Sequence, residues 1–525
     1  MNLFVSGIKA PLGCTEEDVF KKAIKTAKIS SANIKDIFIH KKSVDARKGN
    51  INLVYSVCIN LINKESFNNI PSVVLKEEFD YKLQPGNALL SERPVIIGAG
   101  PAGLFCCHLL CEYGFRPIVI ERGSKTEKRV ADVENFFKNR ILDTESNVQF
   151  GEGGAGTFSD GKLVTRINDP RCDYVLDLFV KHGAYEEIKH LAKPHIGTDN
   201  LRKIIISLRE GLISKGADFI FNTAVEDIDV SGGKVRGVKL SNGEYITADA
   251  VVLACGHSAR DTYKMLLKRG IGMEKKPFSV GFRIEHKRRF IDEGRYGKYA
   301  SHPDLGAAEY QFSLRKGNRG CYTFCMCPGG SVVAASSEEN GVVTNGMSDY
   351  SRNADNSNSA IAASVLPEDT GADVLSGIEF QRKLERAAYI AGGSTYAAPV
   401  QLSKDFIKGE KTFCLSSVKP SYPCGYEFAD FNNILPPFAA EILKEGLLDF
   451  EKKLRGFSLG DGVLSGVETR TSAPIRILRG KDYSAIGAEG LYPAGEGAGY
   501  AGGITSAAVD GLKVAEYLIK KYKSI

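Results

Sequence analysis

Residues 94–103 read Pro-Val-Ile-Ile-Gly-Ala-Gly-Pro-Ala-Gly, a short apolar run that leads into a G-x-G-x-x-G turn. The apolar run predicts a buried strand, and the residues after the turn predict a helix. Gly98 permits a tight turn, Gly100 lets the backbone approach a pyrophosphate, and Gly103 lets helix and strand pack closely. The stretch therefore predicts a strand-turn-helix unit whose helix N-terminus binds phosphate.

A second apolar run supports this interpretation. Residues 118–120 are Ile-Val-Ile, and they end at Glu121, which stands 23 positions after Gly98. In dinucleotide-binding units an acid about 20 residues beyond the first glycine accepts hydrogen bonds from ribose hydroxyls. Strand, glycines, helix, strand and acid in this order predict a dinucleotide-binding unit.

Another glycine-rich segment lies close to the C-terminus. Residues 491–496 predict a strand that ends at Glu496, and a glycine loop then leads into a helix from about Ile504 to Lys520. The positive end of that helix would stabilise an anionic ligand across the loop, such as the pyrimidine edge of a reduced flavin. The two glycine anchors are far apart in sequence, which favours one extended dinucleotide over a compact nicotinamide site.

These motifs resemble those of FAD-dependent oxidoreductases with the glutathione-reductase-like superfold, through residues 98–103 with Glu121, the strand 251–256, and residues 491–496. More narrowly, the chain resembles a bacterial FAD-dependent dehydrogenase family without an established substrate, through the segments 149–163, 325–330 and 494–500. The resemblance implies FAD as cofactor. It also implies an α/β fold: an FAD-binding Rossmann-like domain of the glutathione-reductase type, with an inserted α+β substrate domain and a small N-terminal α+β domain.

The cofactor-binding residues that we expect come from four parts of the chain. The first unit and the loop that follows it supply Gly98, Gly100, Pro101, Ala102, Gly103, Glu121, Arg122, Gly153, Gly154 and Gly156. The middle strands and the C-terminal segment supply Val225, Ala254, Gly256, Gly495, Glu496, Gly503, Ile504 and Thr505. The sequence identifies neither a catalytic base nor a set of metal ligands.

The length of 525 residues exceeds what one hydrophobic core usually holds. We expect a small α+β domain over residues 1–90, which a linker at 84–87 joins to the next domain. The FAD-binding domain is expected over 91–265 and 456–525, and a substrate or cap domain over 266–455. Helical spacing predicts further helices at 200–215, 381–391 and 434–450.

Composition narrows the function classes. The formal net charge is +6, and residues 1–90 contain 13 Lys and Arg against 9 Asp and Glu, a mild excess that does not favour nucleic-acid binding. There is no basic and then apolar leader, and no apolar run approaches the ~18 residues of a membrane span. We therefore expect a cytoplasmic protein that acts on a small molecule and does not bind membranes.

The 12 cysteines are scattered, and many stand in apolar runs, as expected for reduced, buried thiols. Cys321, Cys325 and Cys327 form a C-x3-C-x-C cluster without the spacing of zinc or common iron–sulfur sites. Their segment predicts a strand with all three thiols on one face, and both a structural role and a redox or substrate-facing role stay open. The disulfide reductases of this superfold carry a C-x4-C pair soon after the first βαβ unit, and this chain has none at that place.

Four other features have two interpretations each. The glycine-rich residues 150–161 form either a backbone cradle for a flat or anionic ligand or an ordinary loop. His257 is either an acid or base, or a residue that follows a backbone turn. Arg470 either holds an acidic substrate near the flavin or forms an ion pair with Glu468 on one strand face. The polar residues 345–359 either line a pocket or form a surface loop.

Together these features predict an FAD-dependent oxidoreductase that transfers a hydride between FAD and a small substrate bound under residues 266–455. No second strand-glycine-helix unit is present for a stationary NAD(P)H, so a pyridine nucleotide donor would dock only transiently. Two alternatives stay open. One is an RNA-modifying flavoprotein that binds RNA through its basic N-terminal domain, and the other is an FAD-binding protein with a structural cofactor.

Overall fold

The computed structural model describes residues 2–47, 51–63, 72–76 and 80–524. The N-terminal part of the chain forms an antiparallel sheet with an α-helix. Its elements are β1 (Asn2–Ala10), α1 (Glu16–Ala27), β2 (Ile34–Asp45), β3 (Asn52–Leu61) and β4 (Val73–Lys76), with sheet order β2-β3-β1-β4. Helix α1 begins directly after Thr15, because Thr15 Oγ1 accepts the backbone N–H of Asp18 at 3.3 Å and so caps the helix. The apolar face of α1 packs on the sheet and gives this unit its own core.

A parallel sheet begins at the glycine turn. Its first elements are β5 (Val95–Ile97), α2 (Pro101–Glu112), β6 (Ile118–Ile120), α3 (Thr126–Asn139), α4 (Arg171–Lys181), α5 (Thr198–Ser214) and β7 (Asp218–Ile220). A three-stranded meander and the next strand and helix follow: β8 (Val225–Ser231), β9 (Lys234–Leu240), β10 (Tyr245–Thr247), β11 (Val251–Leu253) and α6 (Arg260–Lys268). The predicted helix at 200–215 corresponds to α5.

A larger antiparallel sheet occupies most of the predicted insertion. Its region contains β12 (Met273–Lys275), β13 (Phe278–Lys287), α7 (Arg288–Tyr296), β14 (Ser313–Lys316), β15 (Arg319–Cys327), β16 (Ser331–Ala334), β17 (Thr344–Met347), β18 (Asn356–Val365), α8 (Ser376–Ala391), β19 (Ala398–Leu402), α9 (Ser403–Lys408), β20 (Tyr426–Phe428), α10 (Pro437–Lys453) and β21 (Val463–Glu468). The order of this seven-stranded sheet is β14-β15-β18-β13-β21-β19-β20. Strand β13 is central, so charged side chains within it need buried partners.

The chain then returns to the parallel sheet with β22 (Ile475–Ile477), β23 (Leu491–Pro493) and α11 (Ile504–Lys521). The five parallel strands have the order β23-β11-β5-β6-β7. Helices α2, α4, α5 and α11 cover one face, and the meander covers the other. Burial on both faces explains why β5 and β11 contain only apolar residues.

One sheet boundary differs from the predicted domain boundary. Strand β21 pairs with β13 and β19, so it belongs to the seven-stranded sheet although it lies after residue 455. Strands β12 and β22 form a two-stranded ribbon beside the parallel sheet. The sequence did not reveal this, because a short apolar strand fits either sheet equally well.

The polar residues 345–359 form a loop only in part, because 345–347 lie in β17 and 356–359 in the buried start of β18, with a partly exposed loop at 348–355 between them. Asn358 Oδ1 accepts a hydrogen bond from Arg283 Nη1 at 3.2 Å, and Asn356 Nδ2 donates to Glu285 Oε1 at 3.0 Å. These amides are buried because they satisfy the charged side chains of β13. Short polar residues resemble a loop when their partners on the neighbouring strand are unknown.

The predicted linker at 84–87 is fixed to the rest of the protein. The backbone N–H of Gly86 donates to the carbonyl of Ile519 at 2.8 Å, next to the end of α11. The N-terminal sheet makes a further contact, because Lys42 donates its backbone N–H to the carbonyl of His190 at 2.6 Å. The N-terminal sheet is thereby held against the loops around the parallel sheet.

Two kinds of feature are absent from the part of the chain that the structure describes. None of the helices there combines the length and the apolarity needed to cross a bilayer. Within the same ranges, no group of three or more His, Cys, Asp or Glu side chains is placed to hold a metal ion. The twelve cysteines are free thiols.

Candidate cofactor site

A cavity lies between the carboxyl ends of the parallel strands and the seven-stranded sheet. That edge of a parallel sheet is where open α/β folds bind their ligands. The predicted site residues that line the cavity are Gly98, Gly100, Pro101, Ala102, Glu121, Arg122, Gly154, Gly156, Val225, Ala254, Gly256, Glu496, Gly503 and Ile504. The fold thus brings together two glycine anchors that are almost 400 positions apart in sequence.

Four predicted residues do not line the cavity and lie behind its wall. A Cβ on Gly103 would collide with the carbonyl oxygen of Gly98, so this glycine lets α2 pack against the turn. Gly153 donates its backbone N–H to that turn at 2.8 Å, and Gly495 donates to a carboxylate of α11 at 2.7 Å. Thr505 Oγ1 donates to a backbone carbonyl at 2.7 Å. All four hold the wall in position.

Helix α2 directs unpaired backbone N–H groups at the cavity. Gly100 is its N-cap and supplies no side chain, and Pro101 follows at the first helical position. A Cβ on Gly100 would have only an ordinary contact with the protein, since the nearest atom is the Cα of Gly154 at 3.8 Å. The protein itself therefore leaves room for a side chain at Gly100, which fits a cradle kept open for a ligand.

Helix α11 presents a second uncapped N-terminus to the same cavity. It begins after Gly503, whose position has no side-chain cap. The space beside Gly502 and Gly503 is open, because a Cβ added to either glycine would have no protein atom within 4 Å. Two helix N-termini without acidic or hydroxyl caps, both facing one cavity, favour an extended anionic ligand.

Glu121 is more deeply embedded than the sequence suggests. Its carboxylate accepts the backbone N–H of Ala99 at 2.8 Å on Oε2, and those of Gly123 at 3.0 Å and Gly151 at 2.9 Å on Oε1. The side chain therefore ties three loops together while it also lines the cavity. Because a carboxylate has about four acceptor positions, Glu121 retains capacity for a ligand hydroxyl.

Glu468 and Arg470 both line the cavity, but they are not paired with each other. Glu468 Oε2 accepts from Arg283 Nε at 2.7 Å, and burial raises the pKa of Glu468 to about 7 even though Arg283 opposes the shift. Arg470 Nη2 donates to Glu385 Oε2 at 2.9 Å, and Arg260 Nη2 donates to Glu385 Oε1 at 2.7 Å. The interpretation of one ion pair on a strand face was wrong, because distant charged residues supply both partners.

Two further titratable groups face the cavity. Burial raises the pKa of Glu496 to about 7, although the nearby Lys276 lowers it, so this carboxyl can take up or release a proton near neutral pH. Burial, together with Arg470 and Arg260, lowers the pKa of His257 to about 3. The His257 ring is therefore neutral, and its Nδ1 lies 3.0 Å from the adjacent Ser258 hydroxyl.

Several cavity residues were not among the predicted site residues. Asp160 and Lys162 follow the glycine-rich loop and line the cavity, with Lys162 Nζ 3.6 Å from Asp160 Oδ2. Cys325 reaches the cavity from β15 of the seven-stranded sheet, and Asn345 reaches it from β17, which pairs with β16 in a separate two-stranded sheet. The charged pair directly after a run of glycines was a usable signal, whereas the contribution of Asn345 depends on sheet pairing alone.

Comparison with known proteins places the chain in a family. Family models match as follows: a domain of unknown function at residues 6–60, an FAD binding domain at 93–133, a flavin containing amine oxidoreductase at 136–277, and the C-terminal domain of an FAD-dependent protein at 277–471. An uncharacterised protein from Clostridium beijerinckii is 46% identical over 512 residues, which is 96% of each chain. The chain belongs to this FAD-dependent family. Its cofactor is FAD, as the resemblance implied, and it is a flavin-dependent enzyme.

Solved structures show only a distant likeness. The L-amino acid deaminase from Proteus myxofaciens is 12% identical, with 84% of this chain and 93% of that chain covered and a TM-score of 0.35. A geranylgeranyl bacteriochlorophyll reductase-like protein from Thermoplasma acidophilum is also 12% identical, with 82% and 78% covered and a TM-score of 0.35. Likeness at this level says nothing about the reaction of this chain.

Proposed function

We propose that this enzyme transfers a hydride between FAD and a small substrate that binds where the seven-stranded sheet lines the cavity. One observation carries the proposal: a single cavity joins two uncapped helix N-termini on one side to carboxyl, amide and thiol groups on the other. When bound, FAD supplies the hydride chemistry, and the protein binds, orients and tunes it. The glutathione-reductase type of domain arrangement is part of this proposal.

The predicted cofactor residues would divide their roles along the cavity. The backbone N–H groups at the start of α2 would bind the pyrophosphate, with Gly100 leaving room for it. Glu121 would accept hydrogen bonds from ribose hydroxyls, and the start of α11 at Ile504 would stabilise negative charge on the reduced ring. Residues behind the wall, such as Gly103, would keep these groups in place.

The substrate would occupy the end of the cavity formed by Phe324, Asn345 and Thr471, with Lys162 nearby. Lys162 is positively charged, because the nearby thiols and Asp160 raise its pKa more than burial lowers it. Glu468 has a pKa of about 7 and can hold or release a proton beside this region. Together these groups suit a small polar substrate whose oxidation or reduction requires a proton.

A pyridine nucleotide donor would bind only transiently. Among the described residues, the glycine-rich loop at 150–161 does not form a cradle of its own, because Gly153 donates its backbone N–H to Ala99 in the first glycine turn. Both glycine segments therefore serve one cavity. The protein would hold FAD permanently and would accept electrons from a nucleotide that docks beside it.

The test is an anaerobic absorbance titration of the FAD-loaded protein with NADPH and then NADH. Bleaching of the flavin band by either nucleotide would support a hydride-transferring oxidoreductase. Dithionite serves as the control, because it reduces any accessible flavin chemically. A flavin that dithionite bleaches, but that neither nucleotide nor any of a panel of small reduced substrates bleaches, would refute the proposal and favour a structural cofactor.

A further inference from the structure

The C-x-C pair at the end of β15 occupies a special place in the fold. Regular alternation would put Cys321, Cys325 and Cys327 on one face. The pairing of β15 with β18 shifts register between Phe324 and Cys327, and Cys325 adopts the left-handed region with φ of 42°. As a result Cys325 lines the cavity, whereas Cys321 is buried against α10.

The two cysteines of the pair are joined by a hydrogen bond. Cys327 is fully buried beside Cys325, and its Sγ donates to the backbone carbonyl of Cys325 at 3.4 Å. Arg283 Nη1 donates to the carbonyl of Cys325 at 2.7 Å and, with Lys162, places positive charge beside the sulfur atoms. The neighbouring Cys327 thiol and these two cations lower the pKa of Cys325 against the effect of burial, while the pKa of Cys327 is raised. The site thus holds one thiolate and one thiol.

Cys255 provides an internal contrast. It also lines the cavity, but burial raises the pKa of its thiol to about 12, and Asp261 adds to that shift. A neutral thiol is a poor nucleophile and a poor electron donor. Of the two cysteines that line the cavity, Cys325 alone combines a thiolate with an adjacent second thiol.

We propose that Cys325 and Cys327 form a redox-active dithiol that exchanges two electrons with FAD across the cavity. The proposal rests on the proposed function, because it requires a flavin that accepts and returns an electron pair in this cavity. It differs from the disulfide reductases in the source of the thiols, which here come from β15 of the seven-stranded sheet and not from the segment after the first βαβ unit.

The exchange balances without another reactant. In the oxidative direction the Cys327 S–H bond breaks and a bond forms between the Cys325 and Cys327 sulfur atoms. Two electrons and the Cys327 proton pass to the flavin. The reduced flavin therefore carries the one negative charge that the Cys325 thiolate had before. In the reverse direction the reduced flavin cleaves the disulfide. Lys162 and Arg283 stabilise the thiolate that each cycle regenerates.

The test counts electrons. FAD-loaded protein is oxidised in air, freed of excess oxidant and titrated anaerobically with dithionite while the flavin band is followed. We expect the wild-type protein to take up about four electrons per FAD, two for the flavin and two for the disulfide. Cys325→Ser and Cys327→Ser should each take up about two, and the matched control Cys321→Ser should behave as the wild type does.

Alkylation of the wild-type protein gives a readout that needs no variant and no activity. After unfolding in iodoacetamide, Cys325 and Cys327 should be unlabelled in oxidised protein and labelled in protein whose flavin was reduced first. Uptake of about two electrons by the wild-type protein, with full labelling in the oxidised state, would overturn the dithiol while FAD binding stands. A protein that binds no reducible FAD would overturn the proposed function, and the dithiol exchange with it.

Discussion

Replacing Gly100 and Gly98 by alanine, one at a time, separates a glycine that the ligand requires from one that the fold requires. Gly100 has φ of −80°, and a Cβ there would lie 3.8 Å from the nearest protein atom. Gly98 has φ of +102°, and a Cβ there would collide with the carbonyl oxygen of Ala254. We therefore expect the same added methyl group to destabilise the fold at Gly98 and to weaken FAD binding at Gly100.

For Gly98→Ala, the left-handed backbone costs about 1–3 kcal/mol and the collision costs about as much again, so the protein without FAD should be destabilised by about 2–6 kcal/mol. For Gly100→Ala, the fold should be almost unaffected. The methyl group would instead displace the pyrophosphate from at least one backbone N–H, at about 1.5–3 kcal/mol, which weakens FAD binding about 10- to 150-fold.

The assay has two parts, the thermal midpoint of the FAD-free protein and the dissociation constant for FAD from quenching of flavin fluorescence. Gly100→Ala should keep the wild-type thermal midpoint but bind FAD more weakly. Gly98→Ala should have a lower thermal midpoint than the wild type even without FAD. If Gly100→Ala binds FAD as tightly as the wild type, the pyrophosphate does not lie at the start of α2. If its thermal midpoint falls as far as that of Gly98→Ala, the fold itself does not accommodate a methyl group at this position.

Two further predictions concern buried carboxylates. Glu121→Ala should weaken FAD binding by about 1.5–3 kcal/mol and also lower the thermal midpoint of the FAD-free protein, because three backbone N–H groups lose their acceptor. Glu121→Gln keeps one oxygen and should lose less FAD affinity and less thermal stability. An unchanged midpoint for Glu121→Ala would contradict the loop contacts. Glu496 has a folded pKa of about 7 against an ordinary value of 4.5, so its neutral form favours folding and that contribution disappears as pH rises from about 4.5 to about 7. Glu496→Gln should therefore raise the midpoint of the FAD-free protein relative to the wild type at about pH 8 but not at about pH 5, and an equal difference at both pH values would contradict the shift.

The dinucleotide-binding unit could be predicted because its physical causes are local. A glycine turn between an apolar strand and a helix has few alternative structures, so residues 94–103 already predicted the strand β5 and the helix α2 that the structure contains. FAD as cofactor followed from resemblance and was confirmed by the family that the chain matches. Helices α5, α8, α10 and α11 likewise lie where helical spacing predicted them, with ends that differ by a few residues.

The rest depended on contacts between segments that are remote in sequence. The sequence left two interpretations open for the polar start of β18, because its partners, Arg283 and Glu285, stand some 70 positions earlier on a neighbouring strand. The partners of Glu468 and Arg470 were hidden for the same reason. For Cys325, strand alternation gave the shared face, but only the register shift and the left-handed backbone turn its thiol into the cavity. Local sequence thus determined which elements form around the glycine turn. The pairing of strands decided which charges and thiols meet at the cavity, because burial of a charge requires a partner that only the tertiary structure supplies.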